Sequence, residues 1–268
     1  MSATLHVESV GAGPDLALIH GWGLHGRIWG EVAQRLAASF TLHIVDLPGH
    51  GASPPVPGGW SGWTQALADS LPPTHLLGWS LGGQLALALA ALRPAQVRSL
   101  TLVATTPRFV AADDWPCGVG IDVLRGFAAD LAQAPQATLS RFLALQVRGD
   151  DVARAAARAL RARLAERPLA RASALAEGLD RLATNDLRAL VSKVVMPALV
   201  ISGERDPLVP AGAARWLAAA LPNARRCEFP GAAHAPFVSA PAGFAGAIEQ
   251  FVNELEYRDG DKRRRRAG

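Results

Sequence analysis

Two cysteines among 268 residues, Cys117 and Cys227, are too few for a disulfide framework and fit free thiols in a reducing compartment. No C-x-x-C and no cluster of histidine with cysteine occurs, which leaves no zinc-site spacing to read. No uncharged apolar stretch is long enough to span a bilayer. Residues 1–10 carry Glu8 and lack the basic-then-apolar run of a signal peptide. Together these absences imply a cytoplasmic protein with no membrane partner. The body of the chain carries no net charge. The net +4 is supplied by 258–268, where Arg258, Lys262 and Arg263 to Arg266 outweigh Asp259 and Asp261. A basic tail on a neutral body removes the main support for a nucleic-acid partner, and the tail reads as a solvated, disordered charge run. No internal repeat is visible.

What is present is a chain that is 50% hydrophobic, enough for one sizeable core with an insertion. A short, continuously apolar run at 16–19 reads as a buried parallel strand, and 41–45, 74–77, 99–104, 197–202 and 225–229 read as the further strands of the sheet. Between them, 27–38, 65–71, 84–92, 211–221 and 242–255 read as helices, so strands and helices alternate in an α/β fold. The alternation breaks between 122 and 189, where four helices are predicted at 123–131, 139–147, 152–165 and 170–182, with breaks near Pro135, Gly149 and Pro168. The resulting division is a core of 1–106 and 190–257, a helical lid insertion at 107–189, and the tail 258–268.

The stretch with chemistry in it is Gly78-Trp79-Ser80-Leu81-Gly82-Gly83, a G-x-S-x-G between a strand and an Ala/Leu-rich helix. A strand that turns straight into a helix has no room for a Cβ beside the apex, and the apex then sits at the positive end of the helix dipole. Ser80 is the candidate nucleophile, although a serine N-cap between turn glycines fits the bare pattern too. An acyl-transfer serine needs a base, an acid to orient the base, and donors for the oxyanion. Asp206 and His234 follow Ser80 in the order Ser, Asp, His, each in a loop just past a strand, where ligand sites of parallel sheets collect. Asp46 follows an early strand and reads instead as fixing its own turn. His6, His20, His25, His43, His50 and His75 read as structural or solvent-facing. The oxyanion donors expected are the backbone N–H groups of Leu81 and of Trp22, in the loop His20-Gly21-Trp22-Gly23. Trp22 and Trp79 are expected to wall an apolar acyl pocket.

These residues make the chain resemble the α/β-hydrolase superfamily, and within it the pimeloyl-acyl-carrier-protein methyl ester esterases of biotin synthesis (BioH type). The likeness covers about 16–252 and is most specific in Gly-Trp-Ser-Leu-Gly-Gly and in Arg141-Phe142-Leu143-Ala144-Leu145-Gln146. It implies an α/β-hydrolase fold, a mostly parallel sheet with helices on both faces, and a Ser80, Asp206, His234 triad. It implies that Trp22, Leu81, Phe142, Leu143, Ala144, Leu145 and Gln146 contact substrate. It also implies that Arg141, Arg154 and Arg158 meet an acidic acyl-carrier protein, the last two being one helical turn apart. The expected enzyme is a monomeric serine carboxylesterase that needs no metal or cofactor. Two alternatives remain: a general short-chain carboxylesterase with the same triad, and a hydrolase-fold protein that binds ligands without turnover. A haloalkane dehalogenase is disfavoured because its elbow nucleophile is aspartate.

Overall fold

In the computed structural model, residues 4–267 are described, except the side chains at 259, 260 and 262–267. Seven strands form one sheet: β1 (Val7–Val10), β2 (Asp15–Ile19), β3 (Thr41–Val45), β4 (Thr74–Trp79), β5 (Val97–Val103), β6 (Ala198–Gly203) and β7 (Ala224–Phe229). Their order is β1-β3-β2-β4-β5-β6-β7, with β1 antiparallel to β3 and every other neighbour parallel. All six predicted strands are present. β1 has no counterpart in the sequence reading because it is a four-residue edge strand whose half-exposed residues make no apolar run.

β4 is buried along its whole length, as a central parallel strand covered on both faces must be. Its neighbours sort by face: Ala17, Ile19 and Leu76 join one core cluster, and Leu16, Leu18 and Leu77 the other. Helices α1 (Gly30–Leu36), α2 (Gly59–Ser70) and α3 (Leu81–Leu92) follow the first strands. Ten consecutive residues of α3, Leu81 to Ala90, are buried, which explains its Ala/Leu/Gly composition: only small or apolar side chains fit on every side.

Between β5 and β6 the chain forms α4 (Ile121–Gln133), α5 (Pro135–Gln146), α6 (Ala153–Leu164), α7 (Ala172–Thr184) and the short α8 (Arg188–Val191). Pro135, read as a break, stands at the first position of α5, where its missing N–H is no loss. Then come α9 (Ala211–Ala220), α10 (Pro236–Ser239) and α11 (Pro241–Ala267). The backbone of α11 runs on past Tyr257 to Ala267. Arginine and lysine are good helix formers, and cations suit a helix C-terminus. Among the described residues no helix is long and apolar enough to cross a membrane, and no group of three or more His, Cys, Asp or Glu could hold a metal. Cys117 and Cys227 are free thiols.

Candidate active site

Ser80 lies between β4 and α3 with φ 54°, a backbone conformation that non-glycine residues rarely adopt. The turn holds it there by close packing. A Cβ on Gly78 would come within 2.6 Å of the Gly82 carbonyl oxygen, and one on Gly82 within 2.2 Å of the His20 carbonyl oxygen. The strain is stored where the nucleophile is expected, at the N-terminus of a buried helix.

Asp206 and His234 come from the loops after β6 and β7 and meet. His234 Nδ1–H donates to Asp206 Oδ2 at 2.8 Å and Oδ1 at 3.0 Å, both side chains being 1% exposed. Asp206 Oδ1 also accepts the Leu208 and Val209 N–H groups, so the carboxylate is held from two sides. The His234 main chain is fixed as firmly: its N–H donates to the Gln146 carbonyl, and its carbonyl accepts the Trp79 Nε1–H. His234 Nε2 is then left buried and, among the described residues, without a hydrogen-bond partner. A buried ring nitrogen with its other nitrogen on a carboxylate is the state required of a general base awaiting a substrate-side proton.

The His20-Gly21-Trp22-Gly23 loop runs beside Ser80: a Cβ on Gly21 would lie 3.4 Å from Ser80 Cβ. Neither the Trp22 nor the Leu81 backbone N–H donates to any group among the described residues, whereas the Ser80 N–H is taken by the Val103 carbonyl. Behind this loop stand two buried histidines. The Leu47 N–H donates to His20 Nε2 and the Gly23 N–H to His50 Nε2, while the Nδ1–H of each donates to a carbonyl, Gly21 and Pro48. Both rings must be neutral to accept in this way. Burial pushes the His50 pKa down to about 4, and burial together with neighbouring His50 holds His20 well below the ordinary range. As expected, Asp46 fixes its own surroundings, accepting the Gly26 and Ala52 N–H groups.

The aromatic wall differs from expectation. Trp22 donates Nε1–H to the Leu175 carbonyl on α7 and packs edge-on against Phe142 and Phe127, with ring centroids 5.0 and 5.5 Å away. It lines an apolar cavity of about 70 Å³ with Phe109, Phe127, Phe142, Leu145 and Leu208. Trp79 does not share this wall. Its N–H is bound to the His234 carbonyl, so its ring packs on His234, Phe237 and Trp29 instead.

The segment Phe142 to Gln146 also divides. A helix turns 100° per residue, so five consecutive side chains cannot face one ligand. Phe142 and Leu145 face the Trp22 cavity, and Ala144 and Leu145 an outer groove of about 770 Å³. Leu143 is buried in the core cluster that holds Trp29 and Trp79 and lines neither. Gln146 supports His234 through its carbonyl, and its buried side-chain amide has no partner among the described residues. The outer groove runs between α5 and α6 and is rimmed by Arg141, Arg148, Arg154, Arg158 and Arg161. Arg141 pairs with Asp130, but the other four make no ion pair among the described residues. Arg148 and Arg161 were not singled out from the sequence. Arg161 could have been, since it continues the Arg154, Arg158 face of α6 by one turn.

A mostly parallel sheet with a serine elbow, and with acid and base on later strand ends, defines the class: an α/β-hydrolase fold. Residues 16–247 match the sequence profile of the alpha/beta hydrolase family. The pimeloyl-(acyl-carrier protein) methyl ester esterase of Chromobacterium violaceum is 44% identical over 253 residues, covering 92% of this chain and 98% of that protein. The protein of the same name from Nitrosomonas europaea is 44% identical over 250 residues, covering 92% and 99%. Among solved structures, an esterase from Exiguobacterium antarcticum superimposes with a TM-score of 0.84 at 20% identity, over 96% of this chain and 98% of that one, a likeness of fold. The chain belongs to the alpha/beta hydrolase family and, within it, to the pimeloyl-(acyl-carrier protein) methyl ester esterases.

Proposed function

We propose that this protein is a serine esterase that hydrolyses the methyl ester of a pimeloyl chain carried on acyl-carrier protein, acting as a cytoplasmic monomer. The observation that carries the catalytic part is the buried His234 Nε2, without a partner among the described residues and with Nδ1 on Asp206, together with an elbow serine and two backbone N–H groups that donate to nothing among the described residues. Ser80 Oγ attacks the ester carbonyl as His234 takes its proton. The Trp22 and Leu81 N–H groups receive the developing oxyanion, and protonated His234 gives its proton to departing methanol. Water, activated by the same nitrogen, then attacks the acyl-Ser80 ester. The carboxylic acid leaves and Ser80 recovers its proton. Asp206 stays ionised throughout and holds the ring in one tautomer.

Carrier preference rests on a different observation. Four arginines without ion pairs among the described residues, around an apolar-floored groove, suit an acidic, helical carrier, and Leu145 lines both this groove and the Trp22 cavity. A chain tethered in the groove would therefore meet the acyl cavity across one side chain. The test of the chemistry is a fluorophosphonate, which reacts only with an activated serine. Wild type should be labelled at Ser80 and lose all esterase activity, and Ser80→Ala should take up none. Unlabelled wild type would leave only a ligand-binding protein.

A further inference from the structure

The corner between α5 and α6, residues 146–152, is bound to both loops that carry the acid and the base. Gln146 O accepts the His234 N–H at 2.9 Å, and the Asp151 N–H donates to Gly231 O at 3.0 Å. Arg205, the neighbour of Asp206, donates Nη1–H to Gly149 O at 3.1 Å and to Asp151 Oδ1 at 2.5 Å. At the centre is Asp150, 8% exposed. Its Oδ2 accepts the Ala233 N–H at 3.0 Å and the Ser239 hydroxyl, and its Oδ1 accepts the Val152 N–H at 2.9 Å. It forms no ion pair among the described residues. A buried carboxylate satisfied only by neutral donors costs desolvation that an apolar residue would avoid, and here every donor but one belongs to the segment that presents His234.

We propose that Asp150 is a positioning residue for His234, so that the α5–α6 corner forms part of the catalytic machinery as well as one wall of the arginine groove. This rests on the triad reading above. Asp150 gathers Ala233 on one side of His234 and Ser239 on the other, and thereby sets where Nε2 stands relative to Ser80. Errors of about 1 Å in such placement cost up to ~100-fold in rate. The effect is on turnover and not on carrier binding, which separates Asp150 from Arg154, two residues beyond its neighbour Val152.

The test compares wild type, Asp150→Asn and Ser80→Ala in the full chain on two esters: a small nitrophenyl ester with no carrier, and pimeloyl-carrier methyl ester. Asp150→Asn keeps the side-chain shape but puts an NH₂ where an oxygen accepted, so one of the donors is left facing a donor. Its kcat should fall about tenfold on both esters, with KM within twofold, at a temperature where circular dichroism shows the native fold. A folded Asp150→Asn with kcat within twofold of wild type, or a loss confined to the carrier ester, would overturn the proposal. If Asp150→Asn does not fold, Ser239→Ala decides: a loss of about threefold in kcat is expected from the freed carboxylate, and unchanged kcat overturns the role. Wild type without Ser80-dependent turnover of the nitrophenyl ester would remove the esterase reading itself. Normal wild-type turnover with an undiminished variant removes only Asp150.

Discussion

At the scale of single residues, function depends on groups kept in one protonation state. His20 accepts the Leu47 N–H and His50 the Gly23 N–H, and a proton on either Nε2 would turn an acceptor toward a donor. The folded protein therefore resists protonating them, whereas the unfolded chain takes up protons at the ordinary histidine pKa of about 6.5. Unfolded chains then bind more protons below that pH, so stability is full above about 6.5 and is lost as pH falls toward 4, where folded His50 titrates. For His50 the loss across that window is on the order of 3 kcal/mol, and His20 acts in the same direction. Urea unfolding between pH 7 and 4.5 should show it, and His50→Gln, which keeps an acceptor but does not titrate there, should flatten the curve. A parallel loss in the variant would assign the acid sensitivity elsewhere. The candidate triad residues could be picked out of the sequence because each lies just past a segment that reads as a strand. Asp150 could not: its partners Ala233 and Ser239 are more than eighty residues away, and no local pattern marks it.

At the scale of elements, α5 and α6 do two kinds of work, and sequence separated them poorly. Six strands and four of the five helices between β5 and β6 could be read from strand-like runs and helical periodicity. The phase of α5 could not, since a family motif names Phe142 to Gln146 together while the helix turns Leu143 into the core. Trp79 was likewise placed on the wrong wall, because its N–H partner, the His234 carbonyl, is set by tertiary structure. On α6, Arg154 and Arg158 line the groove and make no ion pair among the described residues. Arg154→Glu with Arg158→Glu should lower kcat/KM for the carrier ester by about 30-fold and leave a nitrophenyl ester within twofold. The wild-type carrier preference should also shrink as salt is raised. Equal losses on both esters would mean that the charge reversal disturbs the site rather than the docking face.

At the scale of the whole molecule, the insertion is fastened to the core by Arg167, between α6 and α7, which pairs with buried Asp46 and with Glu8 on β1. The Arg171 N–H adds a bond to the Gly49 carbonyl. Asp46 is 1% exposed, so removing its cation leaves a buried charge, unlike loss of a surface pair such as Arg226–Glu228. Arg167→Met should cost about 3 kcal/mol in urea unfolding with an unchanged m-value, and adding Asp46→Asn should recover part of it. The fastening matters because the cavity, the groove and the contacts to the His234 loop all depend on where the insertion sits. The central claim, that this assembly removes one methyl group from a carrier-bound pimeloyl ester, is met most directly by mass spectrometry of the carrier. Wild type should convert pimeloyl-carrier methyl ester to the free-acid carrier with the thioester intact, and Ser80→Ala should leave it unchanged. A wild-type product that keeps the methyl group, or conversion by Ser80→Ala at the wild-type rate, would contradict it.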